Sequence, residues 1–367
     1  MHIEKIELHN FRNYSNLELE FSKNVNLILG KNAQGKTNLL EAVYLTAIGR
    51  SFRTSKDIDL VKFNENNSIV KVWAEKELNS TTVEISIKRK GEKSSEKYIK
   101  KDKKNVTRTS QLLKNILIVI FSPEDLKIVK DEPEKRRKFI DRELSQISPK
   151  YYNSLSNYKK SLLQRNTYLK EENLEPSIID IWDVQLSKYG AEVIFLREKF
   201  IEKLSEYSSK IHSGITGGKE KLDILYEPNV EIKQSLSEQE DFIYSELKNS
   251  FKTDSRNRNT SVGPHRDDIL FVVNDIDMRN FGSQGQQRTC ALSLKLAELN
   301  LIKEKTDEDA ILLLDDVMSE LDADRQEFLI DTMKNNQLFI TTTELDQNIK
   351  DKFKELKIFY IENGNLI

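Results

Sequence analysis

Apolar and polar residues alternate over residues 2–8, where Ile3, Ile6 and Leu8 keep the phase with one slip. They alternate again at Leu17, Leu19 and Phe21. That two-residue period is the mark of a half-buried strand, and the polar stretch 13–16 between the two runs predicts a hairpin turn. Residues 25–29 form a short apolar run ending at Gly30, after which 38–48 are rich in helix formers and Gly49 stops them. Alternating β-branched residues predict strands at 69–74 and 81–87. Residues 116–121 predict a buried strand, closed by Ser122-Pro123.

From about residue 123 to 246 glycine is scarce and the period changes. Leu186, Tyr189, Val193, Leu196, Phe200, Leu204, Tyr207 and Ile211 recur every three or four residues, one apolar stripe along a long helix. Tyr151, Leu155, Tyr158, Leu162 and Leu169 mark an earlier helix, and Gly214, Gly217 and Gly218 break the pattern. Mixed character then returns, with strands expected at 269–273, 310–314 and 338–342 and helices at 289–305 and 325–334. The pattern predicts an α/β lobe at 1–121 and 262–367, interrupted by a helical lobe at 122–261. The apolar stripe reads as core or partner-helix packing.

Composition narrows the classes. The 367 residues suit two or three domains, and 37% hydrophobic content supports a packed core. With 58 basic and 60 acidic side chains the net charge is −2, so any contact with nucleic acid rests on a local patch. One such patch is residues 88–108, with ten basic and three acidic residues. Lys88, Arg89, Lys100, Lys101, Lys103 and Lys104 would meet phosphates there unless the hairpin is simply solvated. The single cysteine, Cys290, excludes a disulfide framework. With no membrane-length apolar run and no signal-like N-terminus, the expectation is a cytoplasmic protein.

The chemistry is carried by Gly30-Lys31-Asn32-Ala33-Gln34-Gly35-Lys36-Thr37, a complete G-x-x-x-x-G-K-[ST] loop between a strand and a helix. Its glycines let the chain fold round an anion, and backbone N–H groups at the helix start would point at phosphates. Lys36 would neutralise β- and γ-phosphate charge, and the Thr37 hydroxyl would ligate Mg²⁺. The apolar run 311–314 delivers Asp315 and Asp316 at its end, one carboxylate for Mg²⁺ and one to act as base or position water. A second helix start, Phe281-Gly282-Ser283-Gln284-Gly285-Gln286-Gln287-Arg288, also carries a small glycine-containing sequence, with Ser283 placed as N-cap. Two phosphate-binding helix starts for one ATP point to a nucleotide shared between two copies of the chain. Ser319 to Asp322 would then lie along the seam.

These residues resemble the ATP-binding-cassette ATPases. Ser283-Gln284-Gly285-Gln286 is similar to their signature sequence, and Ser319-Glu320-Leu321-Asp322 to their D-loop. The helical insertion resembles SMC-like heads. Further segments resemble the RecF family of bacterial recombination-repair ATPases, from residue 1 to about 343: Asn10-Phe11-Arg12-Asn13-Tyr14, Gly49-Arg50-Ser51-Phe52-Arg53, Ser122-Pro123-Glu124-Asp125-Leu126 and Gly263-Pro264-His265-Arg266-Asp267-Asp268. The resemblance implies an SMC-like P-loop ATPase head with a mixed sheet, binding ATP and Mg²⁺. It implies an ATP-dependent homodimer on DNA, acting at single-strand gaps in repair, replication restart and the SOS response, and helping to load recombinase beside RecR and RecO. Arg12 would reach nucleotide or phosphate, as the resemblance implies, or else be a surface arginine of the hairpin. Gly285 and Gln286 would belong with Ser283 in the nucleotide contact.

Three departures from the cassette pattern imply a slow ATPase used as a switch. Residues 121–124 lack the Q-loop glutamine, Thr341-Thr342-Thr343 replaces the switch histidine, and Asp316 stands where many relatives carry glutamate. His265 has no neighbouring histidine and reads as a structural hydrogen-bonding residue. The rivals are an architectural head acting through protein partners, and a P-loop kinase or GTPase. The second lacks an Asn-Lys-x-Asp motif and leaves residues 283–287 unexplained.

Overall fold

The structure, a computed structural model, describes residues 1–76, 79–92, 94–107, 111–343, 353 and 355–367. The chain divides into two compact units, Met1–Asp125 with Glu298–Ile367, and Leu126–Ala297.

The first unit opens with β1 (His2–Phe11), β2 (Tyr14–Glu20), β3 (Val25–Leu29), α1 (Lys36–Ile48), β4 (Asn67–Glu75), β5 (Ser80–Arg89), β6 (Ser95–Lys101), β7 (Lys104–Asn105) and β8 (Ile118–Phe121). The second unit follows with α2 (Pro133–Ile147), α3 (Pro149–Tyr168), α4 (Pro176–Ile215), β9 (Leu222–Glu227), α5 (Leu236–Asn257), β10 (Asp268–Val273), β11 (Ile276–Asp277) and most of α6 (Gln284–Thr306). The chain then completes the first unit with β12 (Ile311–Asp315), α7 (Ala323–Thr332), β13 (Leu338–Thr342), β14 (Leu356–Glu362) and β15 (Asn365–Leu366).

Two sheets build the first unit. One is antiparallel, in the order β2-β1-β4-β5-β6-β7, and the other runs β15-β14-β3-β13-β12-β8 with five parallel strands. Burial explains the difference. Inward residues of β4 and β5 (Val70, Val72, Ala74, Val83, Ile85, Ile87) alternate with half-buried ones, whereas every residue of β3, β8 and β12 is buried. A single apolar core joins β1, β2, β4 and β5 to α1 and to Ile28, Ile311, Leu313 and Phe339 of the parallel sheet. Helix α1 is therefore buried almost all round, and its polar exceptions, Lys36, Glu41 and Thr46, need partners.

The hairpin is tighter than its polar stretch predicts: β1 and β2 pair out to Phe11 opposite Tyr14, with Arg12 in left-handed backbone at φ 53°. In the second unit α2, α3 and α4 each begin at a proline, whose fixed φ suits the first helical turn. The stripe of α4 is core as expected, with Leu186, Val193, Phe200, Leu204 and Ile211 buried.

Two features depart from the pattern reading. Strand β9 lies in a stretch of helical character and pairs with β10 from Leu222–Val273 to Glu227–Asp268. That pairing draws β10, β11 and the first part of α6 into the second unit, so residues 262–297 cluster with the helices rather than with the phosphate loop. Buried ion pairs accompany it: Arg165 reaches Asp183 at 2.8 Å and Asp254 at 2.7 Å, and Arg197 reaches Asp141 and Asp267 at 2.8 Å each.

Candidate active site

Strand β3 hands its last buried residue to a loop that turns into α1. A Cβ on Gly30 would lie 2.3 Å from the Ile361 carbonyl oxygen, and one on Gly35 would lie 2.7 Å from Asn13 Nδ2. Close approach by β14 and by the β1–β2 turn, together with φ of 156° and 119°, therefore demands both glycines. The loop is braced from outside. Tyr14 donates its hydroxyl to the Gly35 carbonyl at 2.9 Å, and Asn13 Nδ2 donates to the Gln34 carbonyl at 2.8 Å. The Gly364 amide donates to the same Gln34 carbonyl at 3.0 Å, and the Asn363 amide to Gln34 Oε1 at 2.6 Å.

Within this brace the N–H groups of residues 31–35 donate to nothing among the described residues. Helix α1 has no side-chain cap and no acid in its first turn, so its positive end is left for an anion. Lys36 Nζ donates to the carbonyls of Gly30 (2.5 Å) and Lys31 (3.1 Å). Burial pushes its pKa down, against the pull of Asp316 and Asp315. This donor set fits a polyphosphate.

The paired acids stand beside it. Thr37 donates its hydroxyl to Asp315 Oδ1 at 2.8 Å, and Thr341 Oγ1, from the end of β13, lies 2.9 Å from the same oxygen. Thr341 Oγ1 also accepts from the Asp316 amide at 3.0 Å. A carboxylate and a hydroxyl in contact, both oxygen donors, suit Mg²⁺. Asp316 sits in left-handed backbone at φ 56°. Burial raises its pKa, with Lys36 opposing and Asp315 and Glu320 adding like charge, the direction a proton acceptor working near neutrality needs. Ser319 donates to the Asp316 carbonyl at 2.9 Å, and Asp322 caps α7 through the Arg325 amide.

Arg12 is committed elsewhere. Its Nε and Nη2 clasp Glu41 at 2.8 and 2.7 Å and its Nη1 donates to the Asp59 carbonyl at 2.9 Å. Glu41 is fully buried and also takes Ser51 Oγ at 2.5 Å and Arg53 Nη1 at 3.3 Å, so this arginine shapes the wall behind the loop. In the basic hairpin, Lys97 turns inward to the Gly49 carbonyl (2.9 Å) and Asp57 (3.0 Å), and Lys100 pairs with Glu84. Lys88, Lys103 and Lys104 are exposed, and Arg108 lies outside the described residues.

In the second unit, Ser283 and Gln286 form a reciprocal capping box at the start of α6. The Gln286 amide donates to Ser283 Oγ at 3.2 Å, and the Ser283 amide donates to Gln286 Oε1 at 3.1 Å. Ser283, Gln284 and Gly285 are exposed, and Phe281 beside them keeps 77% of its surface in solvent. His265 is hydrogen-bonded to the Tyr158 hydroxyl (2.7 Å) and the Thr260 carbonyl (3.0 Å). Burial holds its pKa down to about 4, and no metal-holding group forms round it among the described residues.

Reasoning from pattern alone missed three supports of the loop: Tyr14, Thr341 and the turn at Asn363-Gly364. The C-terminal turn had a readable signal, alternation at Phe359 and Ile361 followed by Asn-Gly. The other two are visible only once Tyr14, at the head of β2, is set against the loop and β13 is paired with β3 and β12.

A buried parallel strand feeding a glycine loop, a lysine-threonine helix start and a strand-end acid pair define a P-loop NTPase head. The sequence profile of the RecF/RecN/SMC N-terminal domain matches residues 2–366. The chain is 44% identical over 370 residues to the DNA replication and repair protein RecF of Clostridium tetani, all of both chains being covered. It is 42% identical to that of Agathobacter rectalis, over all of this chain and 99% of the relative. The solved recombination mediator protein RecF-ATPrS in the RecFOR pathway superposes with a TM-score of 0.92 at 38% identity, covering all of this chain and 97% of that one. A Pyrococcus yayanosii Smc head, at 12% identity and TM-score 0.56, shares the fold. The chain belongs to the RecF family of DNA replication and repair proteins, and its role is in recombinational repair.

Proposed function

We propose that residues 30–37 bind the triphosphate of ATP, and that two copies of the chain close round it on DNA. The observation that carries this is the 2.8 Å contact between Thr37 and Asp315, which brings the loop and the acid strand to one point. Lys36 and the N–H groups of residues 31–35 would hold the phosphates, and Thr37 with Asp315 would ligate Mg²⁺. Bound ATP supplies the phosphoanhydride bond whose cleavage reopens the dimer. Asp316 would accept a proton from water or orient it, and the exposed Ser283 and Gly285 with the half-buried Gln286 would meet the other copy's nucleotide.

A slow turnover fits the site, because Thr341 gives the acids a hydroxyl where an imidazole would speed proton transfer; its stimulation by DNA is part of the same proposal. Similarity to RecF-ATP in the RecFOR pathway supports RecO and RecR as partners; single-stranded and gapped duplex DNA as the substrate surface is part of the proposal. Sedimentation with ATP and Mg²⁺ tests the switch: the parent chain dimerises and Lys36→Met does not. Salt-titrated DNA binding by the isolated chain tests the DNA contact, since an architectural head would bind little without partners.

A further inference from the structure

The start of α6 is tied to the end of the longest helix. Gln286 Nε2 donates to Glu220 Oε1 at 2.8 Å. The other oxygen of Glu220 lies 3.1 Å from Nε2 of His212, a fully buried residue in the last turn of α4. The ring's Nδ1 is 3.1 Å from Ser293 Oγ, back on α6. The loop between α4 and β9 thus places one carboxylate between two helices of the second unit.

Its chemistry decides how Gln286 is presented. A side-chain amide has two orientations, and a carboxylate only accepts, so Glu220 forces the Gln286 NH₂ toward itself and the amide oxygen toward the Ser283 N–H. That orientation is the one the capping box requires. The box uses the Ser283 oxygen as an acceptor, which keeps the one hydroxyl proton of Ser283 for an outside acceptor. Remove Glu220, and the Gln286 amide is free to flip and the exposed helix start to fray.

We infer that Glu220, itself held by His212, is the positioning residue that presents Ser283 and Gln286 to a nucleotide carried by a second copy of the chain. This rests on the shared-ATP reading above. It assigns the stretch between α4 and β9 a part in closure without contact to ATP.

Hydrogen exchange and sedimentation separate the two ideas. In the full-length chain without nucleotide, Glu220→Ala raises exchange at the amides of residues 283–287 by about fivefold or more, with β9 and β10 as protected as before. ATP binding by the Lys36 loop is unchanged in the same variant. Its ATP-dependent dimerisation weakens by about tenfold, the size of one charge-assisted hydrogen bond. Glu220→Gln restores both, since its amide accepts from Gln286 and donates to His212. Unaltered exchange in Glu220→Ala overturns the positioning role. So does unaltered dimerisation while Ser283→Arg abolishes it. If Ser283→Arg dimerises like the parent, the shared-nucleotide reading fails, and the exchange result still decides whether Glu220 orders the segment.

Discussion

Helices α1 and α6 both begin at a glycine-bearing polar sequence, and they are finished in opposite ways. The start of α1 has no side-chain cap, a buried lysine as its first residue, and N–H groups in the preceding loop that find no partner among the described residues. The start of α6 satisfies itself through Ser283 and Gln286 and stands exposed. An uncapped helix end braced by Tyr14, Asn13 and Gly364 is built to be completed by an anion. A self-capped end needs no ligand to be stable, and offers a hydroxyl proton and a solvent-facing edge instead.

Breaking the α1 start gives the largest effect. Lys36→Met lowers ATP affinity by about two to three orders of magnitude in a fluorescence titration, because a desolvated ammonium among phosphates is replaced by an apolar chain. Asp316→Asn separates binding from chemistry. Hydrolysis falls by about a hundredfold or more in a steady-state assay while ATP still binds, the loss expected for one general base.

Acid tests the second unit through His265, whose pKa burial pushes down. The His265 imidazole titrates near 4 in the folded chain and near 6.5 unfolded, so the unfolded state binds the extra proton. Stability from this residue is complete above pH 6.5 and is lost as the pH falls toward 4. It amounts to about 2 kcal/mol between pH 7 and pH 5. Urea titrations at the two pH values measure it, and His265→Gln flattens the difference. The smallest effect concerns the brace. Tyr14→Phe removes one hydroxyl from the Gly35 carbonyl and costs about 1 kcal/mol of stability by the same titration, with a few-fold loss of ATP affinity.

What was legible beforehand follows from range. The loop 30–37 is a local pattern, and Asp315 and Asp316 are fixed by the apolar run that ends on them, so both were readable from neighbours along the chain. The helical lobe was readable because α4 keeps its stripe for 40 residues. Strand β9 was not, because its alternation at Leu222, Ile224 and Tyr226 spans only six residues and its partner β10 is remote in sequence. The same non-locality hid Thr341, whose role depends on β13 lying next to β12. Arg12 illustrates the converse: its place in a suggestive motif said nothing of buried Glu41, which takes up its guanidinium.

The claim that one ATP is gripped by α1 of one copy and α6 of the other is tested most directly by mixing two inactive chains. Lys36→Met spoils every loop and Ser283→Arg every α6 start, so neither variant dimerises alone in ATP and Mg²⁺. Mixed in equal amounts, they form a heterodimer with one intact site, seen as a dimer boundary in sedimentation velocity that depends on ATP. No dimer in the mixture, or full dimerisation of either variant alone, contradicts a nucleotide shared between chains.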